Sequence, residues 1–296
     1  LYVQISADSL GLSAGLMRIP FGYGIAWGPM DFLNPRNPLE PDARLRGVVG
    51  ITGRWYPAFA DDMKFLAFAA APRDPLAADG GGARFGLAWE SHWDRASVQA
   101  LYVFESPAVY TVPVVATAGG AAGLRAEYPR GIHRAGLSFK IELELGFQGE
   151  ILYTVDPVSP PDFPDGLAAS FGADYTLFDG KLYLLAEYLY SGAESTGAYG
   201  AASPTGRAGA HYLYGAGTWK WSDFASITAG CAANLEDLSA TALAAWEYQF
   251  AQGLTVSLKV YVPLDSESFG GEGSGELGPR QSKSYIYGAA GLRVKF

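Results

Sequence analysis

The chain has 296 residues and a formal net charge of −9, with 14% aromatic, 49% hydrophobic and 17% charged residues. Soluble domains average about 25% charged residues, so this chain is under-charged and over-aromatic, and it has too much apolar surface to remain disordered. A spanning helix is excluded as well, because the longest charge-free stretch, Ser106 to Leu124, is broken by Pro107, Pro113 and Gly119-Gly120.

One cysteine, Cys231, leaves no intramolecular disulfide and no cysteine-based zinc site. The acidic balance argues against nucleic acid as a partner. The opening LYVQISAD is patterned like a strand and lacks the charged start and cleavage site of a leader. The numbering therefore reads as that of a mature or trimmed chain.

In chain order, alternation at period two predicts strands near 1–8, 12–26, 47–56, 63–71, 82–92, 95–105, 132–141, 145–155, 167–177, 181–190, 209–220, 223–233, 238–250, 253–263 and 283–296. The cleanest is LTVSLKVYV, where Leu254, Val256, Leu258, Val260 and Val262 share one face opposite Thr255, Ser257, Lys259 and Tyr261. A soluble β-sandwich would also alternate. Two features favour a membrane barrel instead. The strands approach the ~9–11 residues that cross a bilayer at a tilt, where globular strands average about 5–6. Aromatic residues gather at strand ends, as at Trp55-Tyr56, Trp89, Trp93, Trp219, Trp221 and Trp246, like the girdles of a membrane barrel.

Connections alternate in length. Short ones hold Asp61-Asp62, Trp93-Asp94, Asp179-Gly180, Ser222-Asp223 and Gln252-Gly253, and long ones are rich in Gly, Pro, Ser and Asp. Residues 234–237 break the rule with a short connection on the long side. The last strand, KSYIYGAAGLRVKF, alternates up to a terminal Phe296. It resembles the C-terminal strand of bacterial outer-membrane β-barrels, and the resemblance implies that Phe296 serves as an assembly signal for the barrel-assembly machinery. The fold class expected is all-β: a single transmembrane antiparallel up-and-down barrel over residues 1–296 with about 14–18 strands. Fifteen is an odd number, so either at least one further strand before Leu1 is expected or the first strand is miscounted.

The segment MRIPFGYGIAWGPMDFLNPRNPLEP is similar to a WG…D-x-x-N-P loop of porin-like barrels from Gram-negative and spirochaete-type bacteria. In that family the preceding strand commonly begins Gly-Arg-Gln; here Met17-Arg18-Ile19 stands there, so Arg18 alone is carried over. Three prolines at 35, 38 and 41 stiffen the loop. It can fold inward over residues 28–46, with Asp31, Asn34 and Arg36 as a constriction, or it can be an ordinary exposed loop.

Catalytic chemistry is not apparent. His92, His133 and His211 fall on three strands without metal-type spacing, and no serine sits beside His133 on its outward face. Asp162 and Asp165 lack a calcium-loop signature, the Gly clusters at 80–82 and 270–275 precede no helix, and Cys231 reads as a small lipid-facing residue. No cofactor or metal is expected. The inward positions are Arg18, Arg54, Arg84, Arg95, Arg134, Lys140, Lys181, Lys220, Lys259, Lys283, Arg293 and Lys295, against Glu90, Glu105, Glu142, Glu150, Asp174, Glu187 and Glu247. Cations outnumber acids on that face, which predicts a mild anion preference despite the isoelectric point of 4.9. Two functions remain in view: a porin-like outer-membrane channel for passive diffusion of small hydrophilic solutes, or a structural or partner-binding barrel without transport. The partners expected are outer-membrane lipid, the assembly machinery, the solutes and, for a porin, further copies of the chain.

Overall fold

The computed structural model describes residues 2–34, 47–71, 82–106, 131–157, 160–161, 163, 165–192, 210–236, 238–264 and 286–294. It contains fifteen strands in a single antiparallel sheet whose spatial order follows the sequence. They are β1 (Tyr2–Ala7), β2 (Leu10–Met17), β3 (Val48–Trp55), β4 (Met63–Ala70), β5 (Arg84–Trp93), β6 (Ala96–Glu105), β7 (Ile132–Glu142) and β8 (Leu145–Val155). The series continues with β9 (Leu167–Leu177), β10 (Leu182–Ser191), β11 (Ala210–Ser222), β12 (Ala225–Asn234), β13 (Ser239–Ala251), β14 (Leu254–Leu264) and β15 (Tyr287–Val294). The fold is an up-and-down barrel of the outer-membrane type. Among the described residues, the pairings run from β1 to β15 and include none between those two strands.

Neighbouring strands meet in tight turns at one end. Asp94 takes a φ of 31° in the β5–β6 turn, and Phe178, Asp179 and Gly180 all take positive φ between β9 and β10, as left-handed turn positions require. The register then fixes which residues face out. On β14, Leu258 and Val260 are exposed at 49% and 42% while Tyr261 is buried. On β9, Phe171 is exposed whereas Ala168 and Ser170 are buried. Large apolar side chains such as Leu12, Ile51, Leu87, Leu137, Ile151 and Leu213 lie exposed on the outer face, as a wall bathed in hydrocarbon requires.

One expected strand differs. The run 12–26 is not a single strand: β2 ends at Met17. Residues 18–34 leave the sheet and are largely buried, with Ile19, Phe21, Trp27, Met30 and Leu33 at 2% exposure or less. The pattern misled because Pro20 and the glycines at 22 and 24 mimic alternation while Pro20 cannot donate to a ladder. Two apolar clusters hold this segment. Ile19, Phe21, Met30 and Leu33 pack on Leu66, Phe68, Leu101, Val103 and Leu152 of the wall, and Phe21 meets Phe68 at 5.2 Å between ring centroids. Ala26 and Trp27 pack on Leu185, Leu189, Tyr212, Tyr214 and Ala232.

Candidate functional site in the barrel lumen

Residues 18–34 cross the lumen, and the wall receives their backbone. A peptide N–H taken into an interior must find an acceptor. Here the acceptors are side chains from four strands. Gly22 donates to Gln99 Oε1 at 2.6 Å and Tyr23 to Ser138 Oγ at 3.1 Å. Gly24 and Met30 donate to the two oxygens of Glu150, the latter at 3.0 Å. Ile25 and Ala26 donate to Glu187 Oε2 at 2.9 and 3.0 Å, and Trp27 donates to Glu187 Oε1 at 2.7 Å. Every N–H from residue 22 to residue 27 thus ends on the barrel wall. Hydrogen bonds to charged acceptors contribute about 1.5–3 kcal/mol each, so the two carboxylates are the principal anchors.

Glycine is needed for this approach. Gly22 has a φ of +75°, and a Cβ there would strike the Glu150 carboxylate. A Cβ on Gly24 would collide with the Trp27 carbonyl. Trp27 closes the far side against Tyr212 and Tyr214, at 6.1 and 5.9 Å between ring centroids.

The segment has a neck. Arg18 Nη2 pairs with Asp31 Oδ2 at 3.0 Å, and Asn34 Nδ2 donates to the Ile19 carbonyl at 3.0 Å. Asp31 N also bonds Gly28 O, and Asn34 N bonds Asp31 O. The D-x-x-N spacing therefore closes the loop on its own base. Near the short-turn end Tyr23 Oη donates to Glu90 Oε1 at 3.1 Å, where Lys64 and His92 also meet Glu90. Burial, reinforced by the neighbouring Glu90 charge, pushes the Tyr23 phenol above its ordinary range.

The expected wall residues fall into three groups. Glu150, Glu187 and Arg134 are buried beneath or beside the segment. Arg134 Nη1 and Arg84 Nε share Glu105 Oε2, at 2.8 and 3.0 Å, and Arg134 lies over the Phe32 ring at 4.8 Å. Arg54 bonds Ser13 Oγ at 3.2 Å. A second group lines the stretch that the segment leaves uncovered: Glu247 and Lys259 are half-buried there, and Lys220 and Glu247 border one polar recess of about 170 Å³ with Ser226 and Thr255. Asp174 also faces in, against Gly146.

The third group departs from expectation. Arg95 lies in the β5–β6 turn beside Asp94, with its side chain 70% exposed, and Lys181 lies in the β9–β10 turn. Tight turns consume the residues that simple alternation would have aimed inward. Lys140 and Glu142, by contrast, keep the inward parity of Arg134 and Ser138 on β7 and pair with each other at the end of the strand. Arg293 belongs to β15, and Arg36, Lys283, Lys295, Phe296 and Asp162 lie outside the described residues. The inward reach also begins earlier than residue 28, since the loop is inside from Ile19 onward. Lys64, Gln99, Ser138 and the run Gly22–Trp27 were not anticipated; the glycine spacing in FGYGIAWG was the available signal.

Among the described residues, no group of three His, Cys, Asp or Glu side chains is arranged to hold a metal ion. His133 Nδ1 contacts Tyr102 Oη at 2.6 Å and His211 Nδ1 contacts Tyr188 Oη at 2.5 Å, each across neighbouring strands.

No protein-family model matches the chain, and no curated protein matches it in sequence. Solved structures do. Wzi, an outer-membrane protein involved in group 1 capsule assembly in Escherichia coli and described as a carbohydrate-binding β-barrel, matches with a TM-score of 0.60 at 12% identity. The match covers 100% of this chain and 70% of that one. The outer-membrane channel DcaP of Acinetobacter baumannii matches with a TM-score of 0.44 at 10% identity, covering 84% of this chain and 86% of the other. The fold shared with Wzi is that of a bacterial outer-membrane β-barrel.

Proposed function

We propose that the chain is a porin-like channel of the bacterial outer membrane, passing small hydrophilic solutes through a lumen narrowed by residues 18–34. One contrast in burial carries this reading. At mid-barrel, Gln99, Ser138, Glu150 and Glu187 are covered, while Thr228, Ala245, Glu247 and Lys259 on β12–β14 stay half-exposed. A polar, hydrated strip alongside a packed segment suits a narrow aqueous path. Along β11–β14 Lys220 and Lys259 outnumber Glu247, which keeps the expected anion preference mild. Outer-membrane lipid surrounds the outer face, and the last strand engages the assembly machinery. The reading assigns no catalysis and no cofactor, and it accommodates a homo-oligomer.

The packed half of the lumen favours a second reading, in which the barrel binds a partner such as a saccharide without conducting, as Wzi is described to bind carbohydrate. Single-channel recording in a planar bilayer separates the two. Discrete conductance steps with a reversal potential toward chloride under a KCl gradient are expected. A folded, inserted barrel that conducts nothing overturns the channel.

A further inference from the structure

We infer that residues 18–34 set the charge selectivity of the lumen by taking two of its wall carboxylates, Glu150 and Glu187, out of the path. The inference rests on the channel reading and names the element that gives that channel its sign. Glu150 is 3% and Glu187 1% exposed, and five peptide N–H groups, from Gly24, Ile25, Ala26, Trp27 and Met30, point at their oxygens. The positive ends of those peptide dipoles face the carboxylates, and the segment itself stands between them and the hydrated strip. Lys259 on β14 is half-buried and Lys220 on β11 exposed, in contrast to the two buried carboxylates. Selectivity follows the charges that line the narrow water-filled part rather than those buried behind it.

The segment is suited to this role because it brings no net charge of its own. Residues 18–33 contain one cation, Arg18, and one acid, Asp31, and these pair with each other. Its base is also closed, since Asn34 Nδ2 reaches the Ile19 carbonyl. Removing residues 18–33 therefore changes the formal charge by nothing and leaves chain ends that two glycines can join. Any change in ion preference then comes from uncovering the wall. The strands that carry the two carboxylates, β8 and β10, pair with β7, β9 and β11 through continuous ladders that do not involve the segment.

The test compares the intact chain with a variant in which residues 18–33 are replaced by Gly-Gly, both carrying Cys231→Ala and Thr228→Cys. Two quantities are read: the reversal potential under a KCl gradient, and the ratio of modification rates of residue 228 by sulfonatoethyl and trimethylammonioethyl methanethiosulfonate. The intact chain should prefer chloride and the anionic reagent. Deletion should raise conductance and reverse both preferences, and adding Glu150→Gln with Glu187→Gln to the deletion should return them toward anions. Gly24→Ala in the full-length chain, which displaces the segment without deleting it, should shift both readouts in the cationic direction if the deletion does not fold. A reagent ratio that stays anionic after the segment is removed or displaced overturns the inference, whatever the conductance. A reversed reagent ratio in a barrel that never conducts leaves the inference standing and overturns the channel.

Discussion

Arg18 and Asp31, thirteen residues apart, meet at 3.0 Å and close the neck of a loop that lies inside the barrel. Asp31 is fully buried, whereas Arg18 keeps 38% of its side-chain surface. The two ends of the pair are therefore unequal. Arg18→Ala leaves a carboxylate in the interior without its cation and should cost about 1–3 kcal/mol. Arg18→Ala with Asp31→Ala should cost less than the sum of the two single changes, because no charge is stranded. Urea-induced unfolding in lipid vesicles measures both; strict additivity would mean that the pair is incidental.

The glycines beneath the neck give a graded test. A Cβ at Gly24 runs into the Trp27 carbonyl, which is backbone and cannot swing away, whereas a Cβ at Gly28 stands 3.4 Å from Asp31 Cβ, an ordinary contact. Gly24→Ala should therefore displace the segment and destabilise it by about 1–3 kcal/mol. Gly28→Ala should leave conductance and stability nearly unchanged. Equal effects from both substitutions would contradict the packing described.

The sequence made the barrel legible for a physical reason. A strand whose outer face meets hydrocarbon must alternate, so Leu258 against Lys259, or Phe171 against Ser170, declares its orientation without a partner being known. The lumen segment obeys no such period. Its apolar residues Ile19, Phe21, Trp27 and Met30 are spaced by what they touch on six or more strands, and its N–H groups find acceptors as far away as Glu187. Those contacts span more than a hundred residues of chain, as between Tyr23 and Ser138 or Met30 and Glu150. Local pattern cannot encode them. Asp31 and Asn34 were recognisable as a motif, but their task of clasping Arg18 and Ile19 became visible only in three dimensions.

Tyr23 gives a pH signature. Its phenol is raised above its ordinary value by burial and by Glu90, so the folded barrel holds this proton more tightly than the unfolded chain. Stability from this group is complete below the unfolded value of about 10 and falls as pH climbs above it. Tyr23→Phe should lower stability at neutral pH by about 1 kcal/mol and flatten its alkaline decline. Melting curves between pH 8 and pH 11, read as a difference between the two proteins, check the sign.

Glu105 holds two cations at once. Arg84 and Arg134 both bond its Oε2, and all three side chains are nearly or fully buried. Glu105→Gln keeps the shape but leaves two guanidinium groups facing each other in a low-dielectric interior, which should cost about 3–5 kcal/mol. Arg84→Met in the Glu105→Gln background should recover part of that loss by removing one of the two charges. Failure of the second substitution to improve stability would show that like-charge repulsion is not what Glu105 relieves.

The final prediction concerns the wall itself. Leu258 is 49% exposed on the outer face of β14, and Lys259, its neighbour, points into the lumen beside Ala245 and Ala289 in the register. Leu258→Lys places a charge against hydrocarbon near mid-strand and should destabilise by about 2–4 kcal/mol. Lys259→Leu places an apolar side chain in a hydrated strip, where exposure to water costs far less than burying a charge in lipid. It should fold normally and, by removing a cation from the path, move the reversal potential toward potassium. The two substitutions exchange the same residue types at adjacent positions, so composition cannot account for a difference between them. Folding measured from urea into lipid vesicles reads the first effect, and planar-bilayer recording reads the second. Equal folding stabilities for the two variants would overturn this orientation of β14, and a reversed order would mean that the strand is slipped by one residue.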